Sequence, residues 1–309
     1  MSIIINFIAV VSVITNILLI YLILYRSPKE IGSYKYLLLA FAINDIYYPF
    51  VHILTLPVIC SYKDAFIMFS YGILTSKASI CLYACTFSQT MPLLAQLFIY
   101  RLFAAKWPHY IKFYTRTSCF ILVSVTVSVV AALWFANCYI NYGLDQETLE
   151  YAQPFLNEEF RGENIEFIGA LYYSIEGKFR MRAFLATMGF NAIMTTCISD
   201  LVQWSGKTKK LQLTLFKTLV VQMIVPMVFV YLPCAGIINL PMMGFRLNVF
   251  PNLVSASTTF FPLVDAFIII FGVKSYRDTV FICCPTLHTK LYPVTKINTN
   301  TTVNVRTTV

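Results

Sequence analysis

The sequence is poor in charged residues, and this scarcity sets the class of protein. Asp, Glu, Lys and Arg make up 12% of the 309 residues, whereas 58% are hydrophobic. Soluble proteins carry roughly 25% charged residues. The apolar residues are spread evenly along the chain, which excludes a soluble domain with one membrane anchor. The composition therefore indicates an integral membrane protein.

The residue patterns that bind metals or carry catalysis are also missing. The three histidines lie far apart, and the nine cysteines form no Cys-x-x-Cys pair and no Cys/His metal-ligand spacing. The chain has no Gly-x-Ser-x-Gly, no Gly-rich phosphate loop and no His-Glu-x-x-His. We therefore expect no catalytic residue, no metal site and no cofactor. The net charge of +9 lies in short loops between apolar runs, so no nucleic-acid partner is expected either.

Seven apolar runs are each long enough to cross a bilayer as a helix. A lone chain in lipid must satisfy its backbone internally, so these runs predict an all-α bundle of seven transmembrane helices. The remaining residues, 274–309, are predicted to form a short interfacial helix followed by a disordered cytosolic tail. The predicted spans are approximately 3–25, 36–59, 78–101, 117–140, 183–204, 213–238 and 250–273.

The loop charges predict the orientation of these helices. Sixteen of the 23 Lys and Arg residues fall in the first loop, the third-to-fourth loop, the fifth-to-sixth loop and its edge, and the tail. The long loop 141–182 on the opposite side carries eight of the 14 acidic residues. Because cytoplasmic loops carry the excess of basic residues, we expect the N-terminus outside and the C-terminus in the cytosol.

Four local motifs, in order, resemble those of one receptor family. They lie in the first loop (Ser27 to Leu37), at the end of helix 3 (Phe98-Ile-Tyr-Arg101), along helix 6 (Leu211 to Gln222, then Pro226 and Tyr231-Leu-Pro233), and in helix 7 and its exit (Phe261 to Asp265, then Lys274-Ser-Tyr-Arg277). Together they resemble the nematode seven-transmembrane chemoreceptors of the Str group, which includes the diacetyl receptor and the related Srj receptors.

The resemblance implies a function and a location. It implies a G-protein-coupled chemosensory receptor of the olfactory type, which detects an external small molecule that is possibly volatile. It also implies a heterotrimeric G protein as partner, contact with membrane lipid, and a place in the plasma membrane of sensory-neuron cilia.

Arg101 ends the third apolar run and opens a loop whose charges are all basic. The resemblance implies a switch residue that contacts a G protein, whereas the simpler alternative is an interfacial arginine whose charged end reaches water. The candidate coupling residues are Tyr100, Arg101, Lys106, Lys207, Lys209, Lys210, Tyr276 and Arg277.

Helical spacing connects Arg101 to a candidate ligand pocket. Tyr83 lies 18 residues earlier, which is five turns of an α-helix, so it shares the face of Arg101, and Phe87 lies close to that face. Small-molecule sites commonly lie between the helices of a bundle. The alternative for each aromatic residue is helix packing, and for His52 a hydrogen-bonded place in the bundle. The candidate ligand contacts are Tyr83, Phe87, His52, Tyr231 and Phe261.

Ionisable residues inside the spans are functional candidates. Asn44, Asp45 and Asp265 are predicted to form a polar core between helices 2 and 7. The pair Cys283-Cys284 after the last span is a candidate palmitoylation site, with two reduced thiols as the alternative.

Three other protein classes remain open from the sequence. A transporter or channel would carry charges along a continuous polar path, and here the spans are sparsely charged. An intramembrane enzyme would need a paired His/Asp or Ser/His set, which is missing. A receptor-like protein that no longer signals is compatible with every feature above.

Overall fold

The computed structural model describes residues 2–62, 65–142, 145–160, 165–174, 176–208, 213–245 and 250–283. Within these ranges the chain is mostly helical. The long helices are α1 (Ser2–Tyr25), α2 (Tyr34–Thr55), α3 (Lys77–Lys106), α4 (Arg116–Ala136), α5 (Gln146–Phe160), α6 (Met181–Thr208), α7 (Leu213–Pro226), α8 (Leu232–Met242), α9 (Phe250–Gly272) and α10 (Lys274–Cys283).

Helix α3 is the centre of the bundle. It packs against α2, α4, α6 and α7, and its residues Leu94, Leu97 and Phe98 are fully buried. Helices α1 and α4 lie at the periphery and expose large apolar side chains such as Phe7 and Val125. Because lipid is as apolar as these side chains, their exposure fits a helix surface that faces a bilayer. By length and composition, five of the described helices can cross a membrane, or six if the bent pair of α9 and α10 is one span.

A three-stranded antiparallel sheet lies at one end of the bundle, and the expectation of an all-α fold was wrong on this point. The strands are β1 (Pro57–Tyr62), β2 (Ala65–Ser70) and β3 (Phe167–Leu171), in the order β1-β2-β3. Helix α2 ends at Thr55, four residues before the predicted end of the second span, because Leu56 adopts a left-handed conformation with φ 41°. Proline at the next position then starts the first strand, since it fixes an extended entry.

The sheet and α5 form a two-layer cap. Alternate residues of β2 point to opposite sides, so Phe66 and Met68 face the bundle while Ile67 and Phe69 face α5. Both β2 and β3 are buried along their full length. We call the end of the bundle under this cap the sheet end, and the opposite end, where Arg101 and α10 lie, the arginine end.

Two of the long helices are irregular. A π-helical turn, Met227–Tyr231, joins α7 to α8 directly after Pro226, which cannot donate a backbone hydrogen bond. Helix α10 turns by 94° from the last four turns of α9. Gly272 ends α9 against Thr218 of α7, and a Cβ at this glycine would lie only 2.5 Å from the Thr218 hydroxyl oxygen. Only glycine permits this approach.

Candidate functional site

An apolar chamber lies between the cap and the bundle. Its volume is about 60 Å³, and polar atoms contribute almost nothing to its surface. Residues from the sheet and from four helical segments line it: Ile59, Phe66, Met68, Ala84, Trp134, Cys138, Tyr142, Ile168, Phe190, Tyr231, Cys234, Ile237 and Ile238. Apolar cavities between the helices of a bundle are common small-molecule sites.

The roof of the chamber is a row of side chains that the strand register creates. Ile59 pairs with Met68 across the first two strands, and Met68 pairs with Ile168 across the next two. Because paired residues on one face of a sheet are neighbours, these three side chains form a continuous row above the chamber. The sheet therefore supplies part of the chamber wall, in addition to covering it.

The second layer of the cap is fixed to the bundle by an ion-pair cluster. The Asp145 carboxylate accepts a hydrogen bond from the Thr148 backbone N–H at 2.9 Å, which caps the start of α5. The Arg180 guanidinium, beside α6, contacts the same carboxylate and lies 3.5 Å from a Glu147 oxygen. Partial burial raises the pKa of Asp145, but the hydrogen bonds from Thr148 and the Arg180 charge outweigh it and hold this pKa below its ordinary value.

Buried hydroxyl groups connect the cap to the helices beside the chamber. The Tyr172 hydroxyl lies 2.6 Å from the Thr187 hydroxyl and donates to the Ile238 carbonyl at 2.7 Å. Tyr142 also reaches Thr187, at 3.1 Å. Tyr172 follows β3, Thr187 belongs to α6 and Ile238 to α8, so one cluster joins all three.

The wall between α6 and α8 contains a pair of amides. Asn191 and Asn239 donate to each other's side-chain oxygens at 2.8 and 3.1 Å. Asn191 follows the chamber residue Phe190, and Asn239 follows Ile238. In hydrocarbon an amide must find a partner in the protein, so each asparagine holds the other in place.

The predicted ligand contacts lie in two different surroundings. Tyr231 lines the chamber. Tyr83 and His52 lie in a buried cluster with Tyr48 and Thr259, where the Tyr48 and Tyr83 hydroxyls are 2.9 Å apart and His52 Nδ1 lies 3.3 Å from the Tyr83 hydroxyl. They are not among the residues that form the chamber wall, and their role as ligand contacts stays a prediction. The side chain of Phe87 lies outside the described residues.

Tyr231 also lines a second, polar cavity deeper in the bundle. This cavity has a volume of about 10 Å³, and its wall includes Asn44, Asp45 and the predicted ligand contact Phe261. Tyr231 thus separates the apolar chamber from the polar interior. It is the last residue of the π-helical turn that joins α7 to α8.

The predicted polar core includes more helices than the sequence indicated. Asp45 of α2 and Asp265 of α9 are both fully buried. Gln222 of α7 donates to both oxygens of Asp265 at 3.3 Å. Asn16 of α1 donates to the Pro262 carbonyl at 3.2 Å. Polar groups from four helices therefore meet at the level of the second cavity.

Arg101 is buried at the arginine end, with only 8% of its surface exposed. Its guanidinium carbon lies 3.8 Å from the centre of the Tyr34 ring, at the start of α2. Tyr34 in turn packs on Tyr100, whose ring meets Tyr114 edge-on at 5.2 Å. The Tyr34 ring therefore covers the Arg101 guanidinium, and the role of Arg101 as a switch residue stays a prediction. Tyr34 lies within the first-loop motif, and no other feature of the sequence indicates a role for it.

The other predicted coupling residues surround this end or lie outside the described residues. Tyr276 is buried, and its hydroxyl lies 2.6 Å from the Ser27 hydroxyl of the first loop. Arg277 is half-buried, whereas Lys106 is exposed and lies over the Trp107 ring. The side chains of Lys207 and Cys283 and the whole of Lys209, Lys210 and Cys284 fall outside the described residues.

Comparisons with known proteins agree with this architecture. The family described as serpentine type 7TM GPCR chemoreceptor Str matches residues 1–281. Serpentine receptor class r-10 of Caenorhabditis elegans is 25% identical over 292 residues, which cover 86% of this chain and 85% of that protein. G-protein coupled receptor str-217 of the same nematode is 25% identical over 308 residues, with 90% and 88% covered, and serpentine receptor class J-38 is 23% identical over 301 residues. The chain, a multi-pass membrane protein, therefore belongs to the Str family of serpentine seven-transmembrane chemoreceptors.

Proposed function

We propose that this protein is a chemosensory receptor that binds a small external molecule in the apolar chamber and activates a heterotrimeric G protein at the arginine end. The observation that carries the proposal is the position of Tyr231. Its ring lines the chamber on one side and the polar cavity on the other, within the irregular part of the α7–α8 helix.

The proposed mechanism is a shift between two packings of the bundle. A ligand in the chamber contacts Tyr231 and favours one position of its ring. Since Tyr231 belongs to the π-helical turn, this choice alters how α7 packs beside α9, where Gln222 meets Asp265. A ligand can shift such an equilibrium only by its difference in affinity for the two states. In this proposal the Tyr231 ring takes a different position in each state, so a ligand that contacts the ring binds one state more tightly than the other.

The arginine end supplies the surface for the partner. Arg101 lies under Tyr34 in the state described above, and Lys106 lies on the surface nearby. We propose that activation uncovers Arg101 and that its planar guanidinium then bonds G-protein groups. A basic surface also attracts the acidic lipids of the inner leaflet.

The orientation follows from the loop charges. We place the sheet end outside and the arginine end in the cytosol of the plasma membrane, and the family resemblance favours sensory cilia. Epitope tags at residue 1 and residue 309 test the orientation: we expect surface staining of the first tag in intact cells, and of the second only after permeabilisation.

A functional screen tests the proposal itself. Cells that express the receptor are exposed to volatile and water-soluble compounds while calcium or cAMP is recorded, and a G-protein dissociation assay is run in parallel. We expect at least one compound to produce a response that requires both the receptor and a G protein. A compound that binds the purified receptor but produces no response with any G-protein class would identify a receptor-like protein that does not signal.

A further inference from the structure

The chemistry of the chamber wall limits what it can bind. Among the described residues that line it, none is Asp, Glu, Lys, Arg or His. The side chains on the wall that carry polar groups are two tyrosines, two cysteines and Trp134, and the Tyr142 hydroxyl is already within 3.1 Å of Thr187. A charged or strongly hydrogen-bonding molecule would lose its water contacts on entry and gain few in return, which is costly.

The volume of the chamber indicates the size of the molecule that its walls can surround. One water molecule needs roughly 10–15 Å³ of cavity volume. A chamber of about 60 Å³ therefore holds roughly four to six groups of that size. This corresponds to a molecule with a short chain of carbon or halogen atoms.

The roof is the part of the wall that the sheet contributes. Met68 lies in the middle of the roof row, between Ile59 and Ile168. Its unbranched side chain is the longest and most adaptable of the three. Its neighbour Ile67 points the opposite way, into the layer formed by the sheet and α5. The two positions therefore differ in what they touch, although they are adjacent in one strand.

We propose that the chamber binds a small, uncharged, apolar molecule of about four to six heavy atoms, and that Met68 sets the upper limit of its length. The physiological meaning of this binding rests on the proposed receptor function, but the binding itself needs no G protein.

Trp134 provides a direct measurement, because it lines the chamber and packs edge-on against Phe190 at 4.6 Å. The full-length receptor carrying Trp107→Phe and Trp204→Phe has Trp134 as its single tryptophan. In lipid nanodiscs it is titrated with butyl bromide, whose bromine quenches a nearby indole. Butyl bromide dissolved in the lipid quenches Trp134 fluorescence in proportion to its concentration, whereas butyl bromide bound in the chamber gives quenching that saturates.

We expect saturable quenching by butyl bromide, competition by butyl chloride, and no competition by valerate, which has a similar length but carries a charge. Replacing Ala84 in the chamber wall by phenylalanine should remove the saturable component. Quenching that is only linear in the parent protein, or equal competition by valerate, would overturn the proposal.

Met68→Ala and Ile67→Ala form the matched pair for the length limit. Both remove a large side chain from the same strand, so they control for general loosening of the cap. We expect Met68→Ala to improve binding of hexyl bromide relative to butyl bromide by roughly tenfold, the usual scale for fitting extra methylenes into an apolar pocket. Ile67→Ala should leave this ratio unchanged. Equal ratios in the two variants would refute the role of Met68.

The quenching assay tests the ligand class of the chamber, and the functional screen tests the receptor function, so either proposal can be refuted without the other. Saturable quenching without any cellular response would leave the ligand class standing and remove the receptor function. A cellular response to charged compounds in a protein without saturable quenching would support the receptor function and refute the proposed ligand class.

Discussion

The contact between Arg101 and Tyr34 leads to a quantitative prediction. The guanidinium carbon lies 3.8 Å from the ring centre, and both side chains are more than nine-tenths buried. A cation–π contact that is shielded from water contributes about 2 kcal/mol or more. If the contact exists only in the resting state, removing it shifts the equilibrium toward the active state by roughly 30-fold. A receptor that is active about 1% of the time would then be active roughly a quarter of the time.

The perturbation is Tyr34→Leu, and the assay is basal G-protein activation without ligand at matched surface expression. Tyr34→Phe keeps the ring over Arg101 and should remain close to the parent receptor. Tyr36→Leu is the matched control, since Tyr36 lies in the same turn of α2 but packs against Phe120 instead of Arg101. A basal signal in Tyr34→Leu equal to that of Tyr36→Leu would show that the ring does not restrain Arg101.

Three further predictions concern other parts of the molecule. Arg101→Lys should reach the surface and bind ligand but lose most G-protein activation, because lysine lacks the planar group with several donors; full signalling would reduce Arg101 to a structural residue. The pKa of Asp145 is lowered in the folded state, so the stability that Asp145 adds to the cap is present above its unfolded pKa of about 3.9 and is lost as the pH falls through the lower folded pKa. Hydrogen exchange in α5 should therefore accelerate as the pH falls over that range, and Asp145→Asn should abolish this pH dependence. Asn239→Ala leaves the Asn191 amide without its partner between α6 and α8, so we expect lower thermal stability in nanodiscs, by about 1 kcal/mol; the double variant with Asn191→Ala should be less destabilised than the sum of the two single changes, and strict additivity would argue against a direct pair.

The helices could be predicted from the sequence because lipid imposes one rule on every span. An apolar run of about 20 residues has to be helical, and this places Arg101 at the end of α3 and Asp265 within α9. Arg101 and Tyr83, which share one face of α3 by helical spacing, are both buried.

The cap could not be predicted in the same way. The strands β1 and β2 are apolar at positions on both faces and show no clear alternation, so the predicted second span runs on into the first three residues of β1, 57–59. Their true structure depends on β3, which lies nearly 100 residues later. Sequence periodicity is local, whereas strand pairing is set by partners distant in the chain.

The chamber wall was mostly missed for a related reason. Helical spacing on α3 selected Tyr83, but the space beside α3 is bounded by Met68 of the sheet and Ile237 of α8. Only the three-dimensional arrangement brings these two residues together. Tyr231 was selected because its motif resembled that of the family, and the structure gives it a place on the chamber wall.

The central claim, that a ligand in the chamber drives the receptor, is tested most directly by agonist potency. With a compound from the screen, dose–response curves are measured for Ala84→Phe, which fills the chamber, and Ile237→Ala, which enlarges it. Leu232→Ala is the control, since Leu232 is 69% exposed on the outside of the same helix as Ile237. We predict that both chamber variants change the potency by roughly tenfold or more at equal surface expression and that Leu232→Ala does not. Unchanged potency in both chamber variants would place the ligand elsewhere and contradict the account.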